Sequence, residues 1–127
     1  MDPISQMIIS IKNANTAGKK TVSFPHSNIK AAIAECLKRA GFIMNAEKKI
    51  RHERPYIDVT ISESEMSNIH DVQRISKPSR RLYMGVKQIK PYKNGVGVFV
   101  FSTPKGIMTD KEARKEQVGG EILFSIW

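Results

Sequence analysis

Cysteine is almost absent: Cys36 is the only one in 127 residues. No disulfide can form within the chain, and a reducing, intracellular setting is expected. Long apolar runs are missing too. The longest near-apolar stretch, Gly95 to Phe101, falls far short of the ~20 residues that a membrane-spanning helix needs. Asp2-Pro3, followed by a segment carrying Ser5, Gln6 and Ser10, lacks the basic-then-apolar order of a signal peptide. These absences describe a soluble cytoplasmic protein with no membrane partner. Chemistry is sparse as well. His26, His52 and His70 are scattered, with no HExxH, no cysteine pair and no carboxylate pair at a telling spacing, so neither a metal site nor a catalytic triad is expected. Cys36 lies in an apolar helical pattern and reads as a small core residue rather than a nucleophile. Gly95-Val96-Gly97 enters a strand instead of opening a helix, so it lacks the geometry of a dinucleotide loop. No enzymatic activity, cofactor or small-molecule substrate is expected.

Acid is missing from one long stretch. Between Asp71 and Asp110 there is no Asp or Glu, while Arg74, Lys77, Arg80, Arg81, Lys87, Lys90, Lys93 and Lys105 all fall inside. The formal net charge is +9. Residues 1–64 carry ten Lys or Arg against six Asp or Glu, and residues 65–127 carry eleven against six, giving +4 and +5. Both halves are basic, but only the second gathers its cations into an acid-free block. Mixed signs serve solubility, whereas a block of one sign attracts phosphate at the cost of self-repulsion. A polyanionic partner fits this pattern. The plainer alternative is a basic protein-interaction module without specific RNA binding, its cations forming the solvated face of a sheet.

Near the downstream end of the block lies Ser102-Thr103-Pro104-Lys105-Gly106. Val96, Val98, Val100 and Phe101 form a β-branched and aromatic run before it, Pro104 and Gly106 mark a turn, and Thr109 with Glu112 has capping-box spacing. Two hydroxyls are thus predicted at the lip of a hairpin. Such groups donate to and accept from base edges, sugar 2′-hydroxyls and phosphates. Tyr83, beside Arg80 and Arg81, reads either as a core-edge tyrosine or as a ring stacked on an unpaired base, worth about 1–3 kcal/mol.

The periodicity predicts an α+β fold in two small modules, an N-terminal α/β module over residues 1–64 and a C-terminal β-rich module over 65–127, the latter expected to be the RNA-binding one because it holds the acid-free block and the hydroxyl turn. In the first, Asp2-Pro3 opens a helix with Ile4, Met7, Ile8 and Ile11 on one face, and residues 13–20 form a loop. Thr21 to Phe24 is a short strand, and Ser27 caps a second helix whose buried stripe is Ile29, Ala32, Ile33, Cys36 and Leu37. Gly41 caps its end. Phe42 to Ile50 and Tyr56 to Ile61 are paired strands joined by residues 51–55, and the polar segment 62–68 marks the module boundary. The second module has strands at Val72 to Ser76, Leu82-Tyr83, Gly95 to Ser102, Gly106 to Met108 and Gly120 to Ile126, with one short helix at Thr109 to Lys115. On the last strand, Glu121, Leu123, Ser125 and Trp127 are predicted on one face and Ile122, Phe124 and Ile126 on the other.

Taken together, these residues resemble the bacterial small-subunit ribosomal protein eight family over essentially the whole chain. The resemblance rests on Asp2-Pro3-Ile4, Ala31-Ala32-Ile33-Ala34, Gly41-Phe42-Ile43, Arg74-Ile75-Ser76-Lys77-Pro78, Arg81-Leu82-Tyr83, Gly95-Val96-Gly97, Ser102-Thr103, Gly106-Ile107-Met108-Thr109-Asp110 and Gly119-Gly120-Glu121-Ile122, in that order. The stretch from Ser102 to Arg114 is similar to the family signature. This implies a two-module fold, binding to the central domain of small-subunit rRNA, contacts with neighbouring ribosomal proteins and, in some bacteria, repression of the protein's own operon mRNA. It further implies that Ser102, Thr103, Lys105 and Gly106 form a recognition loop, with Tyr83 stacking or contacting sugar and Glu121 partnering the loop or the RNA. Arg81 and Lys77 belong to the same RNA-binding set, and Asp2, Pro3, Lys12, Asn13, Ser27 and Lys30 form a secondary backbone-contacting surface. Three positions depart from the family pattern. Pro104 replaces the last residue of a common Ser-Thr-Ser, removing a hydroxyl and an N–H donor and stiffening the loop. Ser79 stands where Gly is usual, and Asn28 where Lys is frequent.

Overall fold

A computed structural model describes residues 2–61, 69–90 and 97–127. They form two compact units, Pro3–His70 and, together with Asp2, Asp71–Trp127. The expected boundary between residues 64 and 65 lies outside the described residues, as do Lys93, Gly95 and Val96. The fold is α+β, with three α-helices and two antiparallel sheets among the described residues.

In the first unit, helix α1 spans Pro3–Thr16 and buries Ile4, Met7, Ile8, Ile11 and Ala14. Helix α1 runs about one turn further than its apolar pattern because Asn15 donates from Nδ2 to the Ile69 carbonyl at 3.1 Å, giving a buried amide a partner. Strand β1 (Thr21–Pro25) leads to helix α2 (Asn28–Arg39), whose N-terminus is capped by Ser27 as expected: its hydroxyl accepts from the Lys30 N–H at 3.3 Å. Helix α2 buries Ile33, Ala34, Cys36 and Leu37. Ile29 corrects the predicted stripe, being 40% exposed in the first helical turn.

The exit from α2 keeps the expected Gly41 cap but not the strand expected from Phe42. Gly41, at φ +86°, donates to Lys38, and Phe42 donates to Leu37, the double closure of a Schellman motif. Phe42 is therefore spent on ending a helix and cannot begin a strand. Strand β2 starts only at Asn45 and runs Asn45–Arg51, pairing with β3 (Arg54–Thr60). The expected five-residue connection is a two-residue turn, His52-Glu53, with φ of 52° and 64°. Two-residue hairpins favour such values, but Asn-Gly supplies them at far less strain. Strand β3 is central, in the order β1-β3-β2. On one face of this sheet Ser23 donates to Asp58 at 2.7 Å and Arg51 to the other Asp58 oxygen at 2.5 Å. The Ser23 bond, with help from Arg51, holds the Asp58 carboxyl below its usual range.

The second unit is organised by one strand, β8 (Gly120–Ile126). One side of it pairs with β6 (Val98–Thr103), which in turn pairs with β7 (Gly106–Thr109). The other side pairs with two short segments in succession, β4 (Val72–Arg74) and β5 (Tyr83–Met84). Backbone bonds from Ile75 to Leu123 and from Ser76 to Ile122 carry β4 onward, and Ile122 to Leu82 begins β5. The two predicted strands are thus one edge of β8 with the Lys77-Pro78-Ser79-Arg80 turn looped out of its middle, closed by the Lys77–Arg80 bridge. A 3-10 turn, Val86–Gln88, follows.

Core packing fixes the hairpin. Ile89, Phe101, Met108, Ala113 and Ile122 form a buried cluster with Ile75, Met84, Phe99 and Val118 against it. Helix α3 (Asp110–Glu116) opens on the expected capping box, with Thr109 Oγ1 accepting from the Glu112 N–H at 3.2 Å and Glu112 Oε1 accepting from the Thr109 N–H at 3.1 Å. Buried Asp110 accepts from the Phe99 N–H and from Arg114, tying α3 to β6. The predicted two-faced alternation of β8 is not kept. A register shift between Val100 and Phe101 leaves Leu123 without a partner on β6, and Leu123 and Ser125 are both buried.

Two outcomes follow. Glu53→Gly relieves a left-handed glutamate and should raise stability by about 1 kcal/mol; a lowered thermal midpoint would contradict the turn. Asp58 ionises more readily in the folded state, so its contribution to stability is present above the ordinary carboxylate range and is lost as pH falls through its depressed folded value. Asp58→Asn should therefore lower the thermal midpoint at neutral pH and make little difference in acid, as paired melting curves would read.

Candidate nucleic-acid interface

The hydroxyl turn is built by pairing. Thr103 and Gly106 are register partners, so Pro104 and Lys105 are the two loop residues. Proline suits the first of these because its fixed φ matches a turn and no N–H is needed there. Gly106 takes φ +121°, which side chains disfavour. Thr103 Oγ1 donates to the Gly106 carbonyl at 2.8 Å and accepts from the Lys105 N–H at 3.2 Å. Its hydroxyl is consumed in shaping the turn. Ser102 Oγ, by contrast, makes no hydrogen bond to any described residue. Lys105 Nζ lies 3.5 Å from Glu116 on α3, an exposed pair of small energetic weight.

Register places three of the expected residues side by side. Tyr83 on β5 opposes Glu121 on β8, and Glu121 opposes Ser102 on β6. Directly opposed residues in antiparallel strands share a face, so Tyr83, Glu121 and Ser102 form one row across the sheet. Tyr83 is 70% exposed, which excludes the core-edge reading. Glu121 has only 13% of its side chain exposed and is held inside the protein: Ser76 Oγ donates to it, and Arg81 lies 3.3 Å away.

Ser76 is the residue that sequence reasoning missed. Fully buried, it donates to Glu121 while accepting from the Leu82 N–H at 3.1 Å, and so seals the base of the looped-out turn. Lys77, Arg80 and Arg81 are presented by that turn and its exit, next to the row. The signal for Ser76 was only its position before Lys77-Pro78, which by itself assigns no role.

The residues expected to form the secondary surface are not all gathered in one place. Pro3 opens α1, whereas Lys12 and Asn13 lie near its other end, about 15 Å along the axis at 1.5 Å per residue. Asn13 helps line a cleft of about 570 Å³ with Ser10, Ala14, Ala17, Lys19, Thr21 and Val22. Ser27 and Lys30 sit at the start of α2, with the Ser27 hydroxyl engaged as the cap. Asp2 lies 3.4 Å from the Arg74 Nε, so its carboxylate neutralises one cation of the block. Among the described residues no group of three or more His, Cys, Asp or Glu is placed to hold a metal ion.

Comparison with known proteins agrees with this arrangement of motifs. The family model described as Ribosomal protein S8 matches residues 2–127. A relative from Mycoplasmopsis agalactiae, named small ribosomal subunit protein uS8, is 44% identical over 99% of this chain and 97% of its own length. Relatives of the same name from Thermosipho africanus and Thermus thermophilus are 41% and 38% identical, each over 99% of this chain and 98% of its own. With matches of this extent and identity, the chain belongs to the ribosomal protein S8 family.

Proposed function

We propose that the protein binds the central domain of small-subunit rRNA, helping to assemble that region of the particle beside neighbouring ribosomal proteins. As a member of this family the chain is a structural constituent of the small ribosomal subunit, not an enzyme. The single observation that carries the rRNA-binding proposal is the row Tyr83–Glu121–Ser102, which sets an exposed ring and an unspent hydroxyl on one face beside the cationic turn.

The mechanism is non-covalent and divides by residue. Arg74, Lys77, Arg80, Arg81, Lys87, Lys90 and Lys105 are the described cations of the acid-free block. Cations that touch phosphate raise the rate and strength of encounter with any RNA, and six such contacts on a duplex give a log–log salt slope near about −5. They position without specifying. Selection falls to the row. The Tyr83 ring stacks on an unpaired base, and Ser102 Oγ contacts a base edge or a 2′-hydroxyl, while Thr103 keeps Lys105 and Gly106 in their turn. The buried-side carboxylate of Glu121 repels phosphate from the middle of the row and keeps the Arg81 guanidinium beside it. The secondary contacts at Pro3, Lys12, Asn13, Ser27 and Lys30, and repression of the protein's own operon mRNA, belong to the same proposal.

Filter-binding titration against a small-subunit rRNA fragment and a random RNA of equal length, over a salt series, tests the reading. Saturable binding with a clear preference for the rRNA is expected, and equal binding to both RNAs would leave only a basic module. Thr103→Ala should weaken rRNA binding about tenfold or more through loss of the turn's two hydrogen bonds, at roughly 1 kcal/mol each, and should barely change random RNA. Lys90→Ala should weaken both alike; equal losses on both RNAs for Thr103→Ala would sink the recognition role of the turn.

A further inference from the structure

The two glycines that precede Glu121 lie where two recognition elements meet β8. A Cβ built on Gly120 would overlap the Ser102 carbonyl oxygen, 2.9 Å from its carbonyl carbon and 3.1 Å from the Thr103 Cα. A Cβ on Gly119 would overlap the Met84 carbonyl oxygen, 2.9 Å from the Gly85 Cα. Every one of these neighbours is backbone. No rotamer change can relieve them, so any side chain at either position must push a strand away.

The displaced strands differ. At Gly120 the strand that must move is the end of β6, which carries Ser102 and Thr103; at Gly119 it is the segment after Tyr83. Neither glycine has a positive φ that would demand glycine for its own backbone, so close approach is the requirement. We infer that Gly119 and Gly120 are positioning residues for RNA selection, setting how far the Tyr83 ring stands from the Ser102–Thr103 turn across β8. This rests on the RNA-binding face proposed above and names what sets its spacing. Hydroxyl hydrogen bonds require a narrow window of distance and angle, whereas phosphate contacts through flexible lysines position without specifying and tolerate far more. Loss of the spacing therefore removes selectivity and leaves general RNA affinity.

The test uses the full-length chain. Gly120→Ala, Ser102→Ala and the double variant are titrated with the rRNA fragment and with random RNA, and thermal melting monitors folding. Val98→Ala, at a buried position on β6 remote from the turn, serves as a control that destabilises the same sheet. Gly120→Ala should lose tenfold or more on the rRNA and stay within twofold on random RNA, and Val98→Ala should keep its preference. In the Gly120→Ala background, Ser102→Ala should cost little further, because the hydroxyl is already misplaced. Retained preference in Gly120→Ala, or independent multiplying losses in the double variant, overturns the inference while leaving the RNA-binding reading intact. A wild-type chain with no preference for rRNA overturns both. If Gly120→Ala does not fold, Gly119→Ala is read the same way, with Tyr83→Ala in place of Ser102→Ala.

Discussion

Strand β8 makes backbone pairings on both sides at once, and the geometry of the second unit depends on that. Along one side it accepts β4 and then β5, and along the other it accepts β6. A central strand leaves no room for independent adjustment: moving one neighbour strains the ladder shared with the others. The consequence is that residues far apart in sequence, Tyr83, Ser102 and Glu121, are held at ladder spacing without needing direct contacts among their side chains. Two polar fasteners add to this. Ser76 closes the looped-out turn onto Glu121, and Asp110 ties α3 to the N–H of Phe99.

Charge and geometry play separate parts on this surface. The acid-free block supplies attraction that is long-ranged, screened by salt and indifferent to sequence. On the proposed face the carboxylate of Glu121 interrupts it at the middle of the row, where an acid opposes nonselective phosphate binding. Its partners Ser76 and Arg81 offset the cost of keeping it largely out of water. The proposed face thus pairs general attraction at its rim with a small centre held at the ladder spacing of β8.

Much of this was legible from the residues, and the misses have physical causes. Ser27, Gly41 and the Thr109–Glu112 pair announce helix ends because capping is a local effect with few residue types able to perform it. The His52-Glu53 turn is illegible because neither residue is a usual left-handed one; the pairing of β2 with β3 imposes the conformation. Phe42 reads as strand by composition yet ends a helix, since Gly41 turns its N–H back onto Leu37. On β8 the alternation fails at Leu123, where a register shift in the pairing with β6 breaks the two-residue period. In the site, the hydroxyl pair and the exposed tyrosine were visible as residue types. That Thr103 would be spent on its own turn while Ser102 stays free depends on hydrogen-bond directions that no periodicity encodes. Pro104 needed the same information: as the first loop residue it deletes a donor the turn does not use.

The most direct test of the proposed recognition face is the pattern of backbone amide shifts in the labelled protein on adding the rRNA fragment at a salt concentration high enough to suppress nonselective binding. The largest changes should fall at Tyr83, Ser102, Thr103, Lys105 and Glu121, with small changes at Lys87 and Lys90. Changes spread evenly over the cations, or confined to residues 3–70, would contradict a recognition surface built on β8.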